Sequence, residues 1–261
     1  MVNVDVFLKY KNYFETWLNI PVDKMEKSNG ISLVSNEKQK QKLDGWRLLY
    51  LPVCAFETEN ALFISCIPEW EDELLKLLNN TLPSEAIQRM KKFFNDEKSL
   101  YCAYHRFFGI RSFDSQIDTT QATTLTNAHC EQFTNFYRKA HPSMSKLIDP
   151  KEWMAEDFKT RVDKKIHYCV FKDGEIVSAT ESENIPNKPD KMVQLGINTL
   201  PEYRRRGYAF IACAAFIKNH LQKGLMPVWE CDFNNKASEI LAAKLGFCHL
   251  GNVFYVSSLQ L

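Results

Sequence analysis

Arg204-Arg205-Arg206-Gly207-Tyr208-Ala209 separates a strand candidate, Met192 to Thr199, from a helix candidate that runs from about Tyr208 to Gln222. Three physical features meet in these residues. The first turn of a helix leaves backbone N–H groups without intrahelical partners and carries a partial positive charge, which suits phosphate oxygens. Gly207 removes a side chain where those amides must be approached, and Ala209 keeps the next position small. The arginines add fixed positive charge matched to phosphate oxygens. The helix behind them, from Phe210 to Ile217, is apolar nearly all round, so it is expected to be buried and to hold the turn rigidly. The chain has neither the P-loop pattern nor the dinucleotide-binding glycine fingerprint.

Downstream of this turn, Pro227 to Phe233 reads as a strand, Asn235 to Leu245 as a helix and Phe247 to Ser257 as closing strands. Upstream, Ile166 to Phe171 and Glu175 to Thr180 flank Asp173-Gly174, a strong hairpin signal. Before them lie a Thr-rich strand candidate (Gln116 to Leu125) and a helix from Asn127 to Ala140, stopped by His141-Pro142. A second helix, Pro150 to Arg161, is opened by Asp149 as N-cap. A boundary is expected near residue 112, dividing an N-terminal α/β domain (1–111) from a C-terminal domain (112–261). The first half predicts an opening helix from Asp5 to Leu18. A hairpin of Trp46 to Phe56 with Ala61 to Ile67 follows, then helices after Pro68 and from Pro83. No chemistry is legible there; His105 and Arg106 sit in an aromatic stretch and read as packing residues.

Composition sets the outer limits. Of 261 residues, 45% are hydrophobic and 25% charged, a mix that fills a core and excludes a mainly disordered chain. Lys and Arg total 33 against 32 Asp and Glu, for a net charge of +1, which excludes a strongly basic nucleic-acid binder. The eight cysteines are too widely scattered for a zinc pair, and buried, reduced thiols in a cytoplasmic protein are expected. The longest uncharged apolar run, Ala209 to Ile217, is about half the ~20 residues of a spanning helix, so no membrane segment is expected.

The phosphate-binding turn resembles that of the GNAT superfamily of acyl-CoA-dependent N-acyltransferases. Its loop pattern, Q/R-x-x-G-x-G/A, is matched by Arg204, Gly207 and Ala209, and Pro201 follows the preceding strand as in that family. A second signature, an Asn after the next strand and a helix ending in K-x-G-F, is matched by Asn235 and by Lys244-Leu245-Gly246-Phe247. The resemblance covers about residues 115 to 261. Trp229-Glu230-Cys231, Asn235 and Ser238 are similar to a branch containing antibiotic self-resistance acetyltransferases of the zwittermicin type, which also carry an extra N-terminal region.

The resemblance implies a mixed α/β fold with a splayed central sheet flanked by helices, and direct acetyl transfer from acetyl-CoA to a primary amine, with no metal. It implies that backbone groups of Ile197 and Thr199 pair with the pantetheine arm. Arg204, Arg205, Arg206, Gly207, Tyr208 and Ala209 would hold the pyrophosphate, Asn235 and Ser238 would complete the cofactor site, and Gly196 would mark the bulge that opens the sheet. The partner is expected to be a small-molecule amine, with no nucleic acid and no membrane, and the oligomeric state is open. Many family members place a Tyr two residues before the Lys of K-x-G-F to protonate the leaving sulfur; this chain has Ala242. Glu181, Glu183 and Glu230 are the candidate bases, with Glu230 favoured, and Tyr255 and Tyr208 are the phenols best placed to reach the thioester. The alternatives are a CoA-binding regulatory protein that has lost catalysis, and a protein acetyltransferase.

Overall fold

A computed structural model of the chain describes residues 4–27, 29–42, 50–98, 100–181 and 191–257. The first half contributes α1 (Val4–Lys9), α2 (Lys11–Leu18), α3 (Val22–Lys27), β1 (Gly30–Ser35), β2 (Val53–Glu57), β3 (Ala61–Cys66), α4 (Glu71–Leu77), α5 (Pro83–Lys92) and β4 (Tyr101–Ile110). The second half begins with β5 (Ala122–Thr124), α6 (Cys130–Ala140), α7 (Pro142–Leu147), α8 (Pro150–Asp163), β6 (Tyr168–Lys172) and β7 (Glu175–Glu181). It continues through β8 (Met192–Gln194), β9 (Gly196–Thr199), α9 (Tyr208–Gln222), β10 (Met226–Asp232), α10 (Lys236–Lys244) and β11 (Phe247–Ser257).

Two expectations are corrected in detail. The opening helix is broken at Tyr10, whose hydroxyl accepts from the Ile110 N–H (2.7 Å) and donates to the Pro227 carbonyl (2.8 Å). This tyrosine nails the turn between α1 and α2 to β4 and β10, over Gly109, where an added Cβ would lie 2.5 Å from its ring. The Thr-rich stretch pairs as a strand only at Ala122–Thr124, because Asp114 and Asp118 side chains accept from the N–H two residues on and fold the preceding segment into turns. Trp46 to Leu49 of the expected hairpin lie outside the described residues.

The strands form a seven-stranded sheet of order β1-β3-β2-β11-β4-β10-β8 and a four-stranded sheet of order β5-β6-β7-β9. Period-2 alternation gives the larger sheet two buried faces. Cys54, Phe56, Phe107, Val253 and Tyr255 join the aromatic cluster of Phe7, Tyr13, Phe14 and Trp17, while Val53, Ala55, Phe254 and Val256 meet Leu74 of α4, Leu78 at its C-cap, and Ile87 and Met90 of α5. In the smaller sheet, Cys169, Ile176 and Ala179 pack on Phe133, Phe136, Met154 and Phe158 of α6 and α8. Its other face covers Ala212 of α9.

The boundary at residue 112 falls just after β4, and β4 lies between β10 and β11. Strand β4 pairs antiparallel with both, from Val228↔Gly109 to Asp232↔His105 and from Phe247↔Ile110 to Ser257↔Tyr101. The two halves of the sequence therefore share one sheet and one core. Gly246 of the K-x-G-F stretch marks the seam: at φ +90° its added Cβ would stand 1.6 Å from the Ser112 carbonyl oxygen, so only glycine fits.

Candidate active site

The expected strand from Met192 to Thr199 changes partner midway. Residues Met192–Gln194 pair in parallel with Met226–Val228 of β10, and Leu195 N–H donates to the Val228 carbonyl at 3.0 Å. From Gly196 onward the chain pairs instead with β7, with Glu181↔Gly196 and Ser178↔Thr199. Strands β9 and β10 part there, and β9 forms the edge of the smaller sheet. A cleft of about 500 Å³ opens along this edge, lined by Gln194 to Asn198, by β10 from Trp229 to Asp232, and by Tyr255. That volume lies in the ~300–1,000 Å³ range of small-molecule sites.

The arginine turn stands beyond the end of β9. Gly207, with φ +84°, is the N-cap of α9, and Arg205 is also left-handed at φ +61°. A Cβ built on Gly207 meets nothing within 4 Å, so the space before the helix start is open. The first intrahelical bond runs from Ile211 N–H to the Gly207 carbonyl, which leaves the amides of Tyr208, Ala209 and Phe210 as the helix's unpaired first donors. Arg204 Nε donates to the Thr199 carbonyl (3.1 Å) and ties the turn to β9. The guanidinium of Arg206 lies over the Tyr203 ring. The Tyr208 ring packs with Val170 and Val177 under Lys172; it does not line the cleft, so of the two expected phenols only Tyr255 reaches it.

One wall of the cleft is built by register. Asp232 stands opposite His105, Glu230 opposite Phe107, and Tyr255 opposite Ala103. These residues share one face of β10, β4 and β11. Tyr255 donates to Glu230 Oε1 at 2.9 Å, and His105 lies 3.6 Å from Glu230 Oε2 through Nδ1 and 3.1 Å from Asp232 Oδ1 through Nε2. Burial, then the neighbouring Glu230 charge, push the Tyr255 phenol well above its ordinary value, so it stays protonated.

The facing wall carries a second pair. His141 Nε2 is 3.1 Å from Glu181 Oε1 and 3.3 Å from Asn198 Nδ2, at the junction of α6 and α7 with β7 and β9. Burial raises the Glu181 carboxyl, but the bond to His141, the two neighbouring imidazoles and Asn198 outweigh it and hold the group below the usual carboxylate range. His141 is forty residues from Glu181 in sequence, and the fold brings the two together. Glu183 lies outside the described residues.

The family model described as GNAT acetyltransferase matches residues 151–253. These residues belong to the GNAT acetyltransferase family. An uncharacterized N-acetyltransferase, YdfB, of Bacillus subtilis (strain 168) is 44% identical over 54 residues, a stretch that spans 21% of each chain. An acetyltransferase from the GNAT family of Colwellia psychrerythraea superposes with a TM-score of 0.54 at 14% identity, covering 97% of this chain and 96% of that one. A GCN5-related N-acetyltransferase from Sphaerobacter thermophilus gives 0.50 at 10% identity, covering 83% and 82%. The expected mixed α/β, splayed-sheet GNAT fold is the observed one, and the Colwellia match extends over the first half of the chain as well.

The other GNAT signature residues have structural partners. Asn235 Oδ1 accepts from Ser238 N–H (3.1 Å) and caps α10, while Ser238 Oγ accepts from the Trp229 indole (2.9 Å). Both residues also line the cleft. Ala242, at the position of the usual Tyr, is fully buried. Burial pushes the Cys231 thiol up, away from a nucleophile's range. Among the described residues no group of three or more His, Cys, Asp or Glu is placed to hold a metal, and no helix is long and apolar enough to cross a membrane.

His105, read from sequence as a packing residue, lines the cleft beside Glu230 and Asp232. Its one sequence signal is period 2: Tyr101, Ala103, His105 and Phe107 share a face. That face becomes informative only once β4 is known to pair with β10, more than a hundred residues away.

Proposed function

We propose that this chain is an acetyl-CoA-dependent N-acetyltransferase that acetylates a primary amine on a small molecule by direct attack. The parting of β9 and β10 at Gly196 carries the reading. It opens a cleft between β9 and β10 with the carboxylate of Glu230 in its wall, and the arginine turn follows the C-terminal end of β9. The residues fit the co-substrate: amides of about Arg205 to Ala209 would hold the pyrophosphate, the open space at Gly207 admits it, and the free edge of β9 at Ile197 and Thr199 would take the pantetheine arm as an added strand. Acetyl-CoA supplies a thioester carbonyl that a neutral amine can attack.

The chain's own groups then act by position and proton transfer. Glu230, oriented by Tyr255, accepts the proton released as the amine nitrogen bonds to the acetyl carbon. The sulfur departs as a thiolate, a good leaving group, and takes its proton from water, since Ala242 offers none. Among the described residues that line the cleft are Glu181, Glu230 and Asp232 and no Lys or Arg, which favours an acceptor bearing an ammonium group over an anionic one. A site in the cytoplasm accords with cysteines that are all free, and an amino-polyol of the kind acetylated in self-resistance is the finer substrate suggestion. Incubation with acetyl-CoA and a panel of polyamines, aminoglycosides and amino-polyols, followed by free-thiol release, tests the proposal. Tight CoA binding without release above hydrolysis for any amine would replace it with the regulatory reading.

A further inference from the structure

We infer that β4 supplies a proton exit for the acceptor cleft, in which His105 passes the proton collected by Glu230 to Asp232 and from there to bulk water. The inference rests on the proposed acetyl transfer with Glu230 as base. Three acid–base groups stand in line on one face of two paired strands. Side-chain exposure rises along the line: 9% for Glu230, 30% for His105 and 74% for Asp232. A carboxylate as covered as Glu230, with one oxygen held by Tyr255, needs an outlet for its proton before the next turnover. His105 lies between that carboxylate and the most exposed member.

The transfers balance. An N–H bond of the attacking amine breaks as Glu230 Oε2–H forms. That bond breaks as the proton moves to Nδ1 of the neutral imidazole, whose Nε2–H proton passes to Asp232 Oδ1 and on to water. The 30% exposed ring then exchanges protons with water, losing one from Nδ1 and gaining one at Nε2, which restores the starting tautomer. The 3.1 Å contact to Asp232 is within hydrogen-bond range; the 3.6 Å contact to Glu230 is longer than a hydrogen bond, and such contacts tighten when the substrate is bound. His105 acts on the amine only through Glu230, so it is a positioning and relay residue, and it belongs to the half of the sequence that carries no family motif.

The test uses the full chain, acetyl-CoA and 1,4-diaminobutane or the best amine of the panel, with steady-state rates measured at rising concentrations of imidazole buffer at fixed pH and ionic strength. His105→Gln is expected to lower kcat about tenfold or more with the acetyl-CoA KM unchanged, and added imidazole to restore much of the loss. Asp232→Asn, at a mostly exposed position, should show a smaller loss of the same kind. A His105→Gln enzyme with parental kcat, or one whose loss imidazole does not relieve in either variant, overturns the relay while a defective Glu230→Gln leaves the acetyl transfer standing. A parent chain that binds acetyl-CoA yet acetylates no amine overturns both.

Discussion

The Tyr255 hydroxyl donates to Glu230 Oε1 across the intervening strand β4, so that the last strand of the chain orients a carboxylate at the split in the sheet. The short side chain of Ala103, paired with Tyr255, leaves the phenol room to lean over β4. Because Tyr255 is held protonated, it acts as a fixed donor that positions Glu230.

Glu230→Gln is therefore expected to lower kcat by the ~10²–10⁴-fold typical of losing a general base, with acetyl-CoA affinity little changed. Tyr255→Phe keeps the base but leaves a buried carboxylate oxygen without its donor, for a stability loss of roughly 1–3 kcal/mol and a smaller loss of rate. Steady-state kinetics and denaturant melts of both variants check the order. Equal rate losses in the two would contradict the division of roles.

Gly207→Val places a branched side chain at φ +84° in the space before the α9 amides. The Cβ meets nothing within 4 Å, so the fold should survive with a strain of about 1–2 kcal/mol. Parent protein at 100 times the dissociation constant of acetyl-CoA should gain about 2.7 kcal/mol, seen as a rise in Tm. The variant should show none of that rise, and an undiminished rise would contradict the phosphate-turn assignment.

The geometry of the turn was legible because its residues are local: Arg204, Gly207 and Ala209 lie within one stretch, followed by an apolar helix. The same holds for the Asp173-Gly174 hairpin, where Asp173 (φ +49°) and Gly174 (φ +79°) both take left-handed conformations. The cleft walls were only half legible. Glu230 and Tyr255 could be nominated from a resemblance, but His105, His141 and the pairing of His141 with Glu181 depend on contacts between segments far apart in the chain. The seam at Ser112 and Gly246 was hidden for the same reason, since a tight backbone approach leaves no pattern beyond one glycine.

A fragment starting at Ser112 would contain every motif of the resemblance and, by sequence, is expected to keep CoA binding. Its sheet suggests a different outcome. Without β4, strands β10 and β11 lose the partner between them, and the buried Phe107 side chain, worth about 1.5–3 kcal/mol, leaves the core. The fragment is expected to lack a cooperative melting transition, and co-expression with residues 1–111 should restore one. A fragment that melts cooperatively alone would show that the second half is self-sufficient.

His167 tests the core by pH. It is buried, with Nδ1 2.7 Å from the Thr180 carbonyl oxygen, and burial lowers its pKa to about 4 from an ordinary 6.5. The folded state thus resists a proton that the unfolded chain accepts. Its contribution is fully present above pH 6.5 and is lost as pH falls towards about 4, a change on the order of 3 kcal/mol. Denaturant melts between pH 7 and pH 4 should show this decline in the parent and a flatter profile in His167→Gln. An identical slope in both would assign the decline to other groups.

Whether the split sheet performs acetyl transfer is tested most directly by following one reaction mixture of the full chain, acetyl-CoA and an amine panel, with thiol release and N-acetylated product quantified together by mass spectrometry. The account predicts equal amounts of free CoA and N-acetylamine, at a rate that rises with pH as the ammonium loses its proton and that collapses in Glu230→Gln. Saturable acetyl-CoA binding with no N-acetylated product from any amine would contradict it.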